Sequence, residues 1–463
     1  MNLSEKHARY YLSLMERAPN DWRQIEPELD QIRRAWLWIC VQPDTRMALD
    51  FINVIHFFQN NRGYWREQIA WCTDYLGKVE TQTRESISVL QNIAWCHYAL
   101  GEFAEATKYL AHILELLTND AESPEYASAL SALGTVYNEA GDFKKGIPHL
   151  EKALIIRRNL GDRAGEAATL GNLALAKSHL GDRSAAIALL LKACEIHKEQ
   201  GDPHLLAVTL NNLGAIYEIT GEYDRAEKAY DEALDTHRTT GDVRMIAITL
   251  NNQGKLFVRL GKTDAAARKY KEALRINRHL KNPIAEATTL SNLGHLYSSL
   301  DQPPRALKYY QAALEIFSGV NYLDGIAHLQ NNIGAIYNKQ KQYAQAIEIL
   351  GNGLALAREL GNRAIESDTL NNLGQAENHL GNTLKARQFF EQAVEISHEI
   401  GDQYGEMVTL INLCGVLATL QEWQTARDAC IRAAAIAKTL KQGEMETLTA
   451  KMLALFQMFE PTP

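Results

Sequence analysis

The stretch Asn211-Asn212-Leu213-Gly214-Ala215-Ile216-Tyr217 returns every forty residues along most of this 463-residue chain. Close copies start at Asn251, Ser291, Asn331 and Asn371, and rows with more drift start at Gln91, Ser131, Gly171 and Ile411. Nine rows of forty fit between residues 91 and 450 without an insertion or deletion. A fixed period of this length indicates a solenoid, in which each unit buries its apolar face against its neighbours. The sequence therefore predicts one long repeat array.

Each row of forty is predicted to contain two helices. In the row around Asn212 the first helix is expected from Pro203 to Thr220, because apolar residues at i, i+4, i+7 and i+11 share one face. The second helix is expected from Tyr223 to Thr239, and the Gly-Asp pair at 241–242 ends it and caps the next helix. Pro148 lies inside the second helix of its row and is expected to kink or shorten it. Since no segment alternates with a period of two, the chain is predicted to be all-α.

Small residues recur at fixed positions of the repeat and predict where two helices cross closely. Gly214 has equivalents in the next four rows, and Ala226 and Ala233 recur in most rows. We expect each small residue to face a large one, such as Tyr217 or Tyr230.

The composition limits the function. Apolar residues make up 46% of the chain and charged residues 22%, with a net charge of −8, which argues against a nucleic-acid or anionic-membrane binder. The N-terminus has no signal-peptide pattern, and no apolar run is long enough to span a bilayer. The six cysteines show no CxxC pair and no metal-ligand spacing. We interpret them as reduced, buried thiols of a cytoplasmic protein.

The residues of the repeat resemble the tetratricopeptide repeat. The resemblance lies in Leu-Gly-x-x-Tyr in the first helix and in Ala, Tyr/Leu/Phe and Ala at fixed offsets in the second. The unit is longer than the roughly 34 residues usual in the family, and Gly-Asp replaces the proline that often ends the second helix. Similar long units occur in kinesin light chains and in bacterial signalling proteins. The resemblance implies a right-handed α-solenoid, a superhelix of antiparallel helix pairs, whose concave groove holds a protein or peptide ligand.

The two ends of the chain depart from the repeat. Residues 1–90 are expected to form a helical cap with one degenerate unit, residues 91–450 the nine repeats, and residues 444–463 a capping helix and tail. The stretches at 28–36, 47–49 and 61–67 are similar to the junction between the winged-helix part and the repeat sensor of STAND-type signalling NTPases. That resemblance implies an NTPase and winged-helix region preceding Met1. The alternative is a simple cap that buries aromatic residues.

An asparagine occupies one position of the first helix in almost every row. The column comprises Asn92, Asn172, Asn212, Asn252, Asn292, Asn332, Asn372 and Asn412. An amide can donate to and accept from a peptide backbone at once, and the helical neighbours of the column vary between rows. We therefore expect the column to form the floor of the ligand-binding groove. The alternative is a ladder of amides that ties neighbouring helices together.

Basic residues of the middle rows lie on the same predicted face. They are Lys255, Arg259, His295, His328 and Lys339. This cluster favours an acidic peptide, a carboxylate or a phosphorylated group as the ligand. The alternative is ordinary solvated charge.

Signs of catalysis are weak. Gly261-Lys262-Thr263 matches only the end of a P-loop, and the histidines form no HExxH motif. We expect a non-enzymatic binding protein without a cofactor or metal. Three hypotheses stay open: the sensor of a STAND-type regulator, a stand-alone adaptor that bridges protein partners, and the small-molecule sensor of a transcriptional activator.

Overall fold

The computed structural model describes residues 3–17, 22–79, 83–440 and 442–457. The chain folds as two compact units, residues 1–236 and 237–463, and the boundary lies inside one helix. Every regular element among the described residues is helical. No described helix is both long enough and apolar enough to cross a membrane.

The helices of the first unit, up to the boundary helix, are α1 (Leu3–Arg17), α2 (Trp22–Ile25), α3 (Leu29–Ile39), α4 (Arg46–Arg62), α5 (Trp65–Leu76), α6 (Arg84–Ala99), α7 (Phe103–Leu116), α8 (Pro124–Glu139), α9 (Phe143–Leu160), α10 (Arg163–His179), α11 (Arg183–Gln200), α12 (Pro203–Thr220) and α13 (Tyr223–Thr240). Short 3₁₀ turns lie at Glu26–Glu28 and Thr118–Asp120. The helices of the second unit are α14 (Val243–Arg259), α15 (Thr263–His279), α16 (Pro283–Ser299), α17 (Pro303–Gly319), α18 (Leu323–Lys339), α19 (Tyr343–Glu359), α20 (Arg363–His379), α21 (Thr383–Ile400), α22 (Gln403–Thr419), α23 (Trp423–Thr439) and α24 (Gly443–Gln457).

From α6 onward the helices alternate between an A helix, the first of each forty-residue unit, and a B helix. Nine such pairs lie among the described residues, from α6–α7 to α22–α23. In the second unit each A helix packs on its own B helix, and each B helix packs on the next A helix. The same order holds from α6 to α12 in the first unit. This confirms the predicted all-α solenoid of helix pairs.

The turns between helices follow the expected chemistry. Gly401 ends α21 with a φ of 74°, a left-handed conformation that glycine adopts without a steric penalty. The side chain of Asp402 then caps α22 by accepting a hydrogen bond from the Gly405 amide at 3.0 Å. Asp or Asn caps act in the same way at 162, 202, 242, 282 and 362.

The glycine column marks the close approach of each A helix to its own B helix. A Cβ built on Gly294 would lie 2.5 Å from the Cδ1 atom of Tyr310, and Gly214 has the same relation to Tyr230 at 2.7 Å. The large partner therefore comes from the B helix, as expected for Tyr230. Tyr217, the other residue we expected to face a small one, is not among the nearest neighbours of Gly214.

The ends of the chain carry their own apolar contacts. In the first unit Trp36 and Trp71 are buried and stack with ring centroids 4.6 Å apart. Helix α4 begins thirty-eight residues before α6, so this first pair lies two residues out of the repeat register. In the second unit α24 packs on α23 and buries Phe456.

Pro148 does not shorten α9, which spans 18 residues.

Candidate functional site

The asparagine column forms a hydrogen-bonded ladder between neighbouring A helices of the second unit. In each bond the side-chain amide Nδ2 donates to the Oδ1 atom of an asparagine on the preceding A helix. The bonds join Asn292 to Asn251 at 3.4 Å, Asn372 to Asn331 at 2.8 Å and Asn412 to Asn371 at 2.9 Å. These three asparagines therefore tie neighbouring A helices together, as the second interpretation of the column expected.

The ladder is interrupted at Asn332. Its acceptor, by the spacing of the other bonds, would be residue 291, and this row has the shorter Ser291 there. Among the described residues the side chain of Asn332 makes no hydrogen bond, and it is half-buried. Its amide is therefore available to a ligand.

The other predicted asparagines are distributed over both units. In the first unit Asn172 donates to the Thr135 hydroxyl at 2.8 Å, and Asn212 is exposed. Asn252 is half-buried on α14 of the second unit. The asparagines of the column are therefore not hydrogen-bonded in one uniform way, and their role as a ligand-binding floor stays a prediction.

Three of the predicted basic residues lie close enough together that two of them influence the third. The ring of His295 still contacts solvent, but the surrounding protein desolvates it, and this burial lowers its pKa. The charges of Lys339 and Arg259 lower the same pKa further. On α20, two A helices further along the chain, burial and Asp402 raise the pKa of Asp368, while the nearby His328 of α18 opposes that rise. The positive charge is thus concentrated around His295.

A cavity of about 370 Å³ opens at this position of the second unit. Five predicted site residues line it: Lys255, Asn292, His295, His328 and Asn332. Cationic and amide donors of this kind suit an anion rather than a metal ion. The volume lies near the lower end of the roughly 300–1,000 Å³ typical of ligand pockets.

One wall of the cavity is aromatic. Phe317 and Tyr322 line it with ring centroids 5.0 Å apart, and both rings pack over Gly325, where a Cβ would lie 2.6 Å from each. Burial and then the charge of Asp324 raise the pKa of Tyr322. The cavity therefore combines basic and amide groups with an aromatic wall and the carboxylate of Asp324.

Tyr322 occupies the N-cap position of α18, where the other A helices from α10 to α22 have Asp or Asn. Its side chain makes no capping hydrogen bond, whereas Asn282 and Asn362 cap the A helices on either side. Loss of such a cap costs about 1 kcal/mol. The sequence analysis missed Phe317 and Tyr322, although this break in the Asp/Asn column is visible in the sequence.

The fold and the cavity define a helical-repeat scaffold with a ligand-sized cleft. Models of the tetratricopeptide repeat match residues 125–199, 205–279 and 325–398, and a second model of the same repeat matches residues 287–317. These matches cover more than half of the chain. The chain belongs to the tetratricopeptide-repeat family, as its sequence predicted, and neither matching model describes a catalytic domain.

Solved structures share the fold at low sequence identity, and no curated protein matches the sequence. A signal transduction ATPase with numerous domains and a tetratricopeptide-repeat sensor, from Pyrococcus horikoshii, is 15% identical with a TM-score of 0.52, over 81% of this chain and 57% of that one. Aspartyl phosphate phosphatase F from Bacillus subtilis is 15% identical with a TM-score of 0.51, over 77% of this chain and 94% of that one. BtubC from P. vanneervenii is 24% identical with a TM-score of 0.42, over 47% and 92%.

Proposed function

We propose that the chain is a peptide-binding scaffold that holds an acidic segment of a protein ligand on the A-helix face of its second unit. The observation that carries the proposal is the cavity that gathers Lys255, His295 and His328 beside the free amide of Asn332. Carboxylates or phosphates of the ligand would accept hydrogen bonds from these groups. Charge-assisted bonds of this kind are stronger than neutral ones.

The aromatic wall adds a second element to the ligand. Tyr322 is 38% exposed and offers apolar surface to a side chain that enters the cavity beside the acidic groups, while the buried ring of Phe317 packs against it. The missing cap at Tyr322 supports this role, because an aromatic ring replaces a stabilising polar residue at the edge of the cavity. We therefore expect the preferred peptide to carry a bulky apolar or aromatic residue next to its acidic residues.

Calorimetric titration with a set of synthetic peptides tests the proposal. An acidic peptide with a central Phe should bind better than the same peptide with Ala, and a peptide with Lys in place of its acidic residues should not bind. Lys255→Gln should weaken binding. Arg275→Gln, which removes one charge from the exposed face of α15, is the matched control. Equal binding of the acidic and basic peptides would refute the proposal.

Tyr322→Asn separates ligand binding from folding. The new residue restores the cap that Asn282 and Asn362 provide elsewhere, worth about 1 kcal/mol, but it also removes the packing of the Tyr322 ring on Phe317, so the free energy of unfolding should change by less than about 1 kcal/mol. The preference for Phe over Ala in the peptide should disappear at the same time. A variant that keeps this preference would show that the aromatic wall does not contact the ligand.

We further propose that ligand binding serves a STAND-type regulator. Two observations support this: the resemblance of residues 28–36, 47–49 and 61–67 to the sensor junction of such proteins, and the similar fold of the Pyrococcus horikoshii protein. The coding frame upstream of Met1 tests the proposal. A frame that continues through a nucleotide-binding motif supports it, and an in-frame stop favours a stand-alone adaptor.

A small-molecule sensor is the second candidate, because the cavity is confined to one place on the A-helix face. Small aromatic carboxylates, titrated alongside the peptides, distinguish the two. A small acid that binds as tightly as the peptide would favour the sensor of a small metabolite.

A further inference from the structure

The last A–B pair of the second unit lacks a side-chain stack present elsewhere in that unit. In the sixth pair Tyr297 on α16 is covered by α17: Tyr309 stacks on it at 5.4 Å, and the Arg305 guanidinium lies 5.4 Å above its ring. The residues at the corresponding positions of the last pair are Leu417, Thr425 and Ala429. These shorter side chains leave a crevice of about 620 Å³ between α21 and α23.

The crevice has an apolar floor. Leu410, Leu413 and Leu417 of α22 line it and are almost fully buried. The side chains of Val394 and Ala429 line it from the two B helices. A bulky apolar side chain from outside could therefore enter between α21 and α23.

The rim of the crevice is acidic. Glu391, Glu395 and Glu399 follow one another at four-residue spacing along α21, and Asp428 lies on α23. Two basic side chains also line the crevice, but both pair with the buried carboxylate of Glu406. These pairs are His398 at 3.1 Å and Arg432 at 2.5 Å. The charge facing a ligand is therefore negative.

The carboxylates of α21 are only partly compensated. Glu391 pairs with Arg387 at 2.7 Å and Glu399 with Arg363 at 2.6 Å, but Glu395 between them makes no ion pair with a described residue. Like charges four residues apart on a helix destabilise it. Cations from a partner, placed along this stripe, would relieve that repulsion.

We propose that this crevice binds a basic amphipathic helix of a partner protein. The helix would insert a bulky apolar side chain between α21 and α23 and would place Lys or Arg residues, four apart, along the stripe of Glu391, Glu395 and Glu399. This is the helix-in-groove mode of recognition. The site lies between the B helices α21 and α23, with α22 as its floor, and none of its residues lines the cavity proposed for the acidic peptide.

A designed helical peptide tests the inference. The probe carries Lys at i, i+4 and i+8 with a central Leu on the same face, and its binding is measured by fluorescence anisotropy on the whole chain. We expect saturable binding that weakens with added salt. Replacing its Lys residues by Glu, or its Leu by Ser, should each lower the affinity at least tenfold.

Two variants locate the site. Ala429→Phe fills the crevice with the residue that α21 has at the same repeat position, Phe389, and should lower the affinity at least tenfold. Thr425→Arg places on the exposed rim the cation that Arg305 provides in the sixth pair. It should also lower the affinity for the peptide, and it does so without changing the core. Glu359→Gln, which removes a carboxylate from α19, is the control and should have no effect.

The inference is overturned if both variants bind the peptide as tightly as the wild-type chain, or if the Glu-substituted peptide binds equally well. Neither variant alters the cavity on the A-helix face. Loss of acidic-peptide binding there would consequently bear on the proposed function and not on this site.

Discussion

Two glycine-to-alanine substitutions in A helices of the second unit should have opposite effects on stability. In Gly294→Ala the new methyl group would lie 2.5 Å from Cδ1 and 2.6 Å from Cε1 of Tyr310, a ring that is 2% exposed. Overpacking of this kind costs about 1–3 kcal/mol, and the better helix propensity of alanine returns about 1 kcal/mol. We expect a net loss of about 1 kcal/mol, the middle of the resulting range of roughly 0–2 kcal/mol.

Gly415→Ala provides the matched control. Gly415 is an exposed interior residue of α22, and a Cβ built on it has no atom within 4 Å. Only the propensity gain applies, so the free energy of unfolding should rise by about 0.5–1 kcal/mol.

Urea denaturation followed by circular dichroism checks both substitutions. Because repeat arrays can unfold in parts, midpoints are compared only if the slopes agree, and amide exchange in α16 and α22 provides the local measurement. If Gly294→Ala is as stable as the wild-type chain, or if the two variants shift in the same direction, the proposed glycine–aromatic contact does not set the spacing of the helix pair.

Two further predictions concern the A-helix face. Asn372→Ala should lower the free energy of unfolding by about 1 kcal/mol, since it removes the 2.8 Å hydrogen bond to Asn331. By contrast, Asn332→Ala, at the break in the ladder, should change it by less than about 0.5 kcal/mol. Parallel urea titrations check the pair, and equal losses would contradict the assignment. The second prediction concerns pH: burial and two neighbouring cations lower the pKa of His295 in the free protein, and a bound carboxylate would offset those cations and raise it. The complex would then take up a proton, so affinity for an acidic peptide should increase as pH falls below about 6.5. Calorimetry across this range should show the increase in the wild-type chain and a flatter profile in His295→Gln.

The fold was predictable because one physical requirement repeats at a fixed spacing. Each row needs an apolar stripe, a small residue at the helix crossing and a turn with a cap. The same residue types therefore recur at the same positions of the repeat. The large partner of each glycine was harder to assign. Tyr217 and Tyr230 are both large residues near Gly214 in the repeat, and only the packing of the two helices shows that Tyr230 faces it.

The site was predictable in part. The basic cluster could be found because helical periodicity places Lys255, His295 and Lys339 on one face of successive A helices. The asparagine column could not be assigned from periodicity, since a ladder and a ligand-binding floor require the same residue type at the same spacing. Whether an asparagine of the column can form the ladder bond depends on the residue forty-one positions before it in the chain. That residue is Asn331 for Asn372, which forms the bond, and Ser291 for Asn332, which does not.

Departures from a repeat carry information that its regular positions do not. A regular position is explained by packing, because every unit must meet the same neighbours. Ser291 interrupts the ladder, which three other asparagines form, and Tyr322 replaces the capping residue that the other A helices from α10 to α22 have. The packing of the solenoid requires neither change, yet both residues line the same cavity as His295 and His328. Two losses of local stability at one cavity are what selection for a ligand would leave, and they favour the proposed site in the sixth and seventh pairs over a site along the whole column.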